Sequence, residues 1–135
     1  MARVADIWLN EITRVYNFVP DPEKFWRKRL DEMKEVTRTA EGYVYEEDGL
    51  IKAFVTVKDH YIWDMVVDSQ YKRTGIGTAL LNFLKERKTS LALGIYKGHR
   101  VGIEFFEKRG FVKAGVYESP EGHHKVEMIW RKEDS

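Results

Sequence analysis

The order of elements predicts an α+β domain with a mixed sheet. Two amphipathic helical periodicities come first and three strand-like runs follow. A strand-helix-strand unit over about residues 61–96 is then succeeded by a helix and a closing hairpin. The chain's 135 residues suffice for one domain with its own core, and its apolar and charged fractions are those of an ordinary globule.

Each element has a local cause. Val4, Ile7, Trp8, Ile12 and Val15 recur at helical spacing, which predicts a first helix ending near Tyr16 and Asn17. Asp21-Pro22-Glu23 reads as the cap, first-turn proline and acidic first turn of a second helix, with Trp26, Leu30 and Met33 on one face. Gly42 to Glu47 and Leu50 to Val57 are strand-like, and Asp48-Gly49 between them signals a two-residue hairpin turn. A third strand is expected over Tyr61 to Val67. Beyond a glycine-punctuated turn, Ile76, Leu80, Phe83, Leu84 and Arg87 form a helical stripe, and Lys85, Arg87 and Lys88 suit the negative end of that helix's dipole. Leu91, Leu93 and Ile95 alternate as a strand, and about His99 to Arg109 forms a helix closed by Gly110. Phe111 to Tyr117 and His124 to Trp130 close the chain as a hairpin around Ser119-Pro120-Glu121-Gly122.

The chemical signal lies in Val67-Asp68-Ser69-Gln70-Tyr71-Lys72-Arg73-Thr74-Gly75-Ile76-Gly77-Thr78-Ala79-Leu80-Leu81, where a β-branched strand runs through a basic turn into a helix. The glycines allow positive φ and close backbone approach, and the helix presents unpaired N–H groups and the positive end of its dipole. Lys72 and Arg73 add formal charge, so the junction suits phosphate. A dinucleotide fingerprint would need Gly or Ala at Leu80 and an acid near Ile95 and Tyr96, and a P-loop would need Gly-Lys-Ser or Gly-Lys-Thr. The chain has neither.

This junction resembles the acyl-CoA pyrophosphate loop of the GNAT superfamily of N-acetyltransferases, whose usual form is Gln or Arg, two residues, Gly, one residue, Gly or Ala. Lys72, Gly75 and Gly77 occupy those positions, the lysine keeping the charge but not the planar fork of arginine. Gly102-Ile103-Glu104-Phe105-Phe106-Glu107-Lys108-Arg109-Gly110-Phe111 is similar to the family's second motif, commonly Ala-x-x-Phe-Tyr-Glu-Lys-x-Gly-Phe. The resemblance implies a mixed, mostly antiparallel sheet with helices on both faces. It also implies one domain over 1–135, with a helical acceptor-side region at 1–36 and an acyl-CoA-binding core at 61–117. It places the carrier against Met65, Val66 and Val67 of the third strand, against Lys72, Arg73, Thr74, Gly75, Ile76, Gly77 and Thr78 of the loop, and against His99 and Phe106. Three departures stand out: the family's opening strand has no counterpart, His99 replaces an Asn that often faces the cofactor, and Phe106 replaces the Tyr usually credited as general acid. A missing strand leaves a sheet edge to be shielded.

Amide formation from a thioester needs a polarised carbonyl, a deprotonated amine and a leaving thiolate. In the family, main-chain N–H groups of the strand before the loop serve the first need, which implies Met65, Val66 and Val67. For the base, Asp59, Asp64 and Asp68 lie near that strand with His60 beside them. Asp64 is preferred, because a carboxylate within Tyr61-Ile62-Trp63-Asp64-Met65-Val66-Val67 is partly desolvated and its pKa raised. A base acting through water is the alternative. Acid catalysis is helpful rather than obligatory for a thiol of pKa about 8.5, and Tyr96 or Tyr117 could supply it in place of Phe106. His99 either caps the last helix or touches the cofactor. Aromatic residues between Tyr16 and Trp26 are candidates to line an acceptor pocket.

The expected reaction is therefore acetyl transfer from acetyl-CoA to a primary amine by direct attack in a ternary complex. A non-catalytic acyl-CoA-binding module is the alternative. The acceptor is a small-molecule or peptide amine. Basic and acidic residues nearly cancel, at 23 against 22, which disfavours nucleic acid as a partner. No run of residues is apolar enough to cross a bilayer and no leader pattern is visible, so a cytoplasmic monomer or homodimer without membrane contact is expected. With no cysteine there is no disulfide, no thiolate zinc cluster and no cysteinyl acyl-enzyme. His123 and His124 in the closing hairpin lack a third ligand, and no metal is expected.

Overall fold

A computed structural model of the chain describes residues 2–15, 21–119 and 122–133. Tyr16, Asn17, Phe18, Pro120 and Glu121, where the first helix's end, part of the acceptor lining and the closing turn are expected, lie outside the described residues. Helix α1 (Ala2–Val15) buries Val4, Ala5, Ile7 and Trp8 and turns Asp6 and Asn10 to solvent. The predicted second helix is two, α2 (Pro22–Arg27) and α3 (Leu30–Thr39). The break falls at Arg29, whose guanidinium stacks 3.6 Å above the Phe25 ring and donates to the Phe25 carbonyl at 3.1 Å. Asp21 occupies the N-cap position of α2 as expected, but its backbone is left-handed (φ 47°) and its side chain makes no cap bond.

Strands β1 (Glu41–Glu47) and β2 (Leu50–Lys58) form the expected hairpin. Asp48 and Gly49 both take positive φ, at 56° and 77°. Then come β3 (Tyr61–Val67), a single 3₁₀ turn (Ser69–Tyr71), α4 (Ile76–Arg87), β4 (Ser90–Tyr96), α5 (Arg100–Glu107), β5 (Val112–Glu118) and β6 (His124–Arg131). The six strands form one sheet ordered β1-β2-β3-β4-β6-β5, antiparallel throughout except between β3 and β4. The sheet is mixed and mostly antiparallel, with β1 as one exposed edge and β5 as the other.

Two cores lie on opposite faces of this sheet. On one, Ile76, Leu80, Leu81 and Leu84 of α4 and Ile103 and Phe106 of α5 meet Val55, Val57, Leu91, Leu93, Val126 and Met128. On the other, Ile7 and Trp8 of α1, Trp26 of α2 and Met33 of α3 gather around Phe54, with Val66 and Tyr96 at the margin. Helices therefore cover both faces. The α4/α5 face backs the glycine loop, and the α1–α3 face backs the strand that carries Asp64.

Candidate active site

The glycine loop is held by its first residue. Asp68 is buried; its Oδ1 accepts from the Gln70 N–H at 3.1 Å and starts the 3₁₀ turn, while Oδ2 accepts from Arg3 Nη2 at 2.6 Å. That carboxylate is committed to shaping the loop, and Asp59 stands exposed in the β2–β3 turn. Of the three aspartates near β3, Asp64 is the one set within the strand, away from both the loop and the β2–β3 turn.

Arg73 (φ 65°) and Gly75 (φ 87°) are both left-handed, and between them the Thr74 hydroxyl donates to the Tyr71 carbonyl. A Cβ built on Gly75 would meet no heavy atom within 4 Å, so space does not require glycine here; the positive φ does. The same open space admits a ligand to the main chain. Helix α4 starts at Ile76, whose side chain is buried, leaving the N–H groups of Ile76, Gly77 and Thr78 without acceptors inside the helix. At Gly77 a Cβ would stand 3.3 Å from Phe105 Cζ, because α5 closes on α4 there. Thr78 is more engaged than expected: its hydroxyl accepts from Arg109 Nε at 3.1 Å and Nη2 at 2.8 Å, and that guanidinium lies 3.8 Å from the Phe105 ring centroid. Lys72 is ion-paired to Glu11 of α1 at 2.5 Å.

The sheet splits beside this loop. β3 and β4 are in register only at Tyr61 and Ala92, where the Ala92 N–H donates to the His60 carbonyl at 2.9 Å. Beyond that point β3 stays with β2 as far as Val67, and β4 stays with β6 as far as Tyr96. A register shift between Thr56 and Val57 gives β3 one extra residue, Trp63, which bends the strand at the start of the split. Met65, Val66 and Val67 thus have a strand partner on the β2 side and, among the described residues, none on the β4 side. Such an edge can pair with an extended ligand.

Asp64 follows that bulge. Its Oδ1 accepts from Trp8 Nε1 at 3.0 Å, and burial pushes its pKa from 3.8 up to about 7, against the opposing pull of the Trp8 bond and the Lys125 charge. A carboxyl titrating there can exchange protons with an amine at neutral pH. Tyr96, at the end of β4, lies edge-on to Trp26 and to His123, with ring centroids 6.2 Å away in both cases, and has Lys125 Nζ 4.9 Å from its face. Tyr117 reaches from β5 across β6 to Gly94 on β4. A Cβ on Gly94 would stand 2.2 Å from the Tyr117 hydroxyl and 3.0 Å from that of Tyr61. Burial, and then hydrogen bonding to Tyr117, hold the Tyr61 phenol well above its ordinary range.

His99 takes the N-cap position of α5 without making a side-chain cap bond, so the capping alternative is set aside. Its ring folds over Gly102, where a Cβ would come within 2.6 Å of it. Burial, then the Lys72 and Arg14 charges, push its pKa down, so the imidazole is neutral at physiological pH. Phe106 is placed in the core beside Phe105 and Phe111 rather than on the loop, because α5 buries an apolar face against the sheet. Its neighbour Phe105 is the ring that reaches Gly77. The sequence gives no site role to Glu11 or Tyr61, and it places Phe105 and Arg109 in the second motif without one. A buried acid among the apolar residues of α1 was the one signal that could have singled out Glu11.

A glycine-opened helix terminus, a split sheet and a carboxyl raised towards neutrality are the features expected of the acyl-CoA-dependent class that the sequence resembles. Comparison with known proteins agrees. Residues 38–113 match the family model described as an acetyltransferase (GNAT) domain. The chain is 32% identical to an S-(2-succino)cysteine N-acetyltransferase of Bacillus subtilis, over 73% of this chain and 71% of that protein. It is 26% identical to the peptidyl-lysine N-acetyltransferase YiaC of Escherichia coli, over 96% of this chain and 81% of that one. Among solved structures, a GCN5-related N-acetyltransferase from Rhodopseudomonas palustris superposes with a TM-score of 0.80 at 20% identity, over 96% of this chain and 88% of that one. A GNAT acetyltransferase from Elizabethkingia anophelis with acetyl-CoA bound gives a TM-score of 0.67 at 14% identity, over 75% of this chain and 82% of that one. The chain belongs to the GNAT family of acetyltransferases, and it is an acyl-CoA-dependent enzyme that transfers an acetyl group to an amine.

Proposed function

We propose that the donor is acetyl-CoA and that a primary amine attacks it directly in a ternary complex, with Asp64 as the base. The observation that carries this reading is the near-neutral carboxyl of Asp64 placed where β3 parts from β4. The family assignment and the acetyl-CoA-bound relative support the donor. The loop suits a diphosphate: Gly75 opens the main chain to it, the α4 terminus offers Ile76, Gly77 and Thr78 amides, and Lys72 and Arg73 bring charge. Acetyl-CoA supplies an activated thioester. The unpaired edge at Met65, Val66 and Val67 orients the carrier arm and polarises the acyl carbonyl. Asp64 receives the proton that an ammonium must lose before its nitrogen can attack. His99, close enough to Lys72 for that charge to lower its pKa, would face the same donor.

The acceptor belongs on the α1–α3 side, residues 1–36, which backs Asp64. The named relatives act on peptidyl lysine and on S-(2-succino)cysteine, both primary amines. Calorimetry with acetyl-CoA, followed by thiol release with a panel holding a lysine peptide, S-(2-succino)cysteine and simple amines, tests the proposal. Binding followed by turnover of at least one amine is expected. Binding without turnover of any amine would leave only the acyl-CoA-binding module.

A further inference from the structure

We propose that Glu11 is a positioning residue for the cofactor loop: an anion carried on α1 that occupies Lys72 and competes for it with the diphosphate of the donor. The inference rests on the acetyl-CoA reading above and adds a residue to it. Glu11 is 5% exposed, and its Oε2 accepts from both Lys72 Nζ, at 2.5 Å, and Arg14 Nη2, at 2.9 Å. A carboxylate this deep is tolerable only with such partners, so the pairings are strong local determinants of where Lys72 points. The two cations are open on their outer sides, their side chains being 40% and 55% exposed. An anion arriving from solvent can therefore reach the ammonium that Glu11 holds from within.

The charge count sets the consequence. Lys72 and Arg14 against Glu11 leave one excess positive charge, and the neutral His99 nearby adds none. A diphosphate thus meets a lysine already partly neutralised. The other end of α1 is tied to the same loop, since Arg3 joins Asp68 at 2.6 Å and donates through Nε to the Ile51 carbonyl at 3.1 Å. From Arg3 to Glu11 is about 12 Å along a helix, so α1 lies over the loop with an ion pair at each end. When the donor takes Lys72, Glu11 keeps Arg14 alone and the last turns of α1 are held less firmly. Because α1 also carries Trp8, the partner of Asp64, loop occupancy is transmitted to the acceptor side.

Calorimetry with CoA on purified full-length protein tests this through a double-mutant cycle. Glu11→Gln should tighten CoA binding about three- to ten-fold at low salt, and the gain should vanish when Lys72 is also changed to Gln. With the best amine of the panel, the same variant should lose turnover while gaining donor affinity, a split that general loosening of the fold does not produce. Unchanged or weaker CoA binding by a folded Glu11→Gln protein, or a gain that persists without Lys72, would overturn the proposal. Wild-type protein gives a second reading that does not depend on a variant's folding: CoA should speed amide exchange in the α1 turn around Glu11, and no change there would equally end the idea. If wild-type protein binds no CoA at all, the donor reading fails instead.

Discussion

The base role proposed for Asp64 ties rate to pH in one direction, because a carboxyl serves as base only when ionised. With its pKa near 7, kcat/KM should climb as pH rises through that value and level off above it. Asp64→Asn keeps an oxygen for Trp8 but accepts no proton, so it should lower turnover by about 10²- to 10⁴-fold and flatten the acidic limb, leaving CoA affinity nearly unchanged. A pH profile of the variant that matches wild type would remove Asp64 from the mechanism and leave a base acting through water. At Gly75 the argument is conformational. Its φ of 87° costs a β-branched residue about 1–3 kcal/mol, and a side chain would fill the space left open to the ligand. Gly75→Val should abolish measurable CoA binding in calorimetry while the protein keeps its native circular dichroism. Undiminished affinity would contradict the loop assignment. Both residues were legible in the sequence, Asp64 as a lone acid in an apolar strand and Gly75 as turn punctuation, because each draws its character from immediate neighbours.

At the scale of elements, the split between β3 and β4 brings distant residues together, and here the sequence is less readable. β3, the loop and α4 follow from local pattern, and β3 is found over the predicted residues. The break between α2 and α3 does not, since it arises from Arg29 folding back on Phe25 and neither residue is a helix breaker. The pairing of Glu11 with Lys72, and the meeting of Tyr61 with Tyr117 over Gly94, depend on which elements become neighbours in the fold. The Gly94 crossing yields a test. Gly94→Ala places a methyl 2.2 Å from the Tyr117 hydroxyl, so that flexible, 40% exposed side chain must swing off β4. If the hydroxyl assists the leaving thiolate, kcat should fall several-fold in step with Tyr117→Phe, and Tyr96→Phe should matter less. Equal rates for Gly94→Ala and wild type would assign Tyr117 to packing alone. The grip of α1 on the loop is tested separately by Arg3→Ala, which leaves the buried Asp68 carboxylate without its cation. A loss of about 1–3 kcal/mol in urea unfolding is expected, and a change under 0.5 kcal/mol would show that the pair contributes little.

For the whole molecule, the raised pKa of Asp64 carries a cost in stability whose sign can be worked out. In the unfolded chain this carboxyl titrates near 3.8, and in the folded chain near 7, so between those values the native state binds the extra proton. Stability from this group is therefore fully present below about pH 4. It drains away as pH rises towards 7 and is gone above that, where the proposed base would carry its charge. The paired surface acids oppose this trend: hydrogen bonds to Lys88 and Lys52 hold Glu41 and Glu47 below their ordinary range, so their contribution disappears as pH falls. Comparing Asp64→Asn with wild type cancels those background terms. The amide is neutral at every pH, so the variant should match wild type within about 0.5 kcal/mol at pH 3.5 and exceed it by up to roughly 4 kcal/mol at pH 8 in urea unfolding. A difference of the same size at both pH values would mean that the carboxyl titrates alike in the folded and unfolded chains and that burial does not raise its pKa. The expected result, a variant more stable and less active at the working pH, would place the strain of the active site in the single charge that β3 carries into the split sheet.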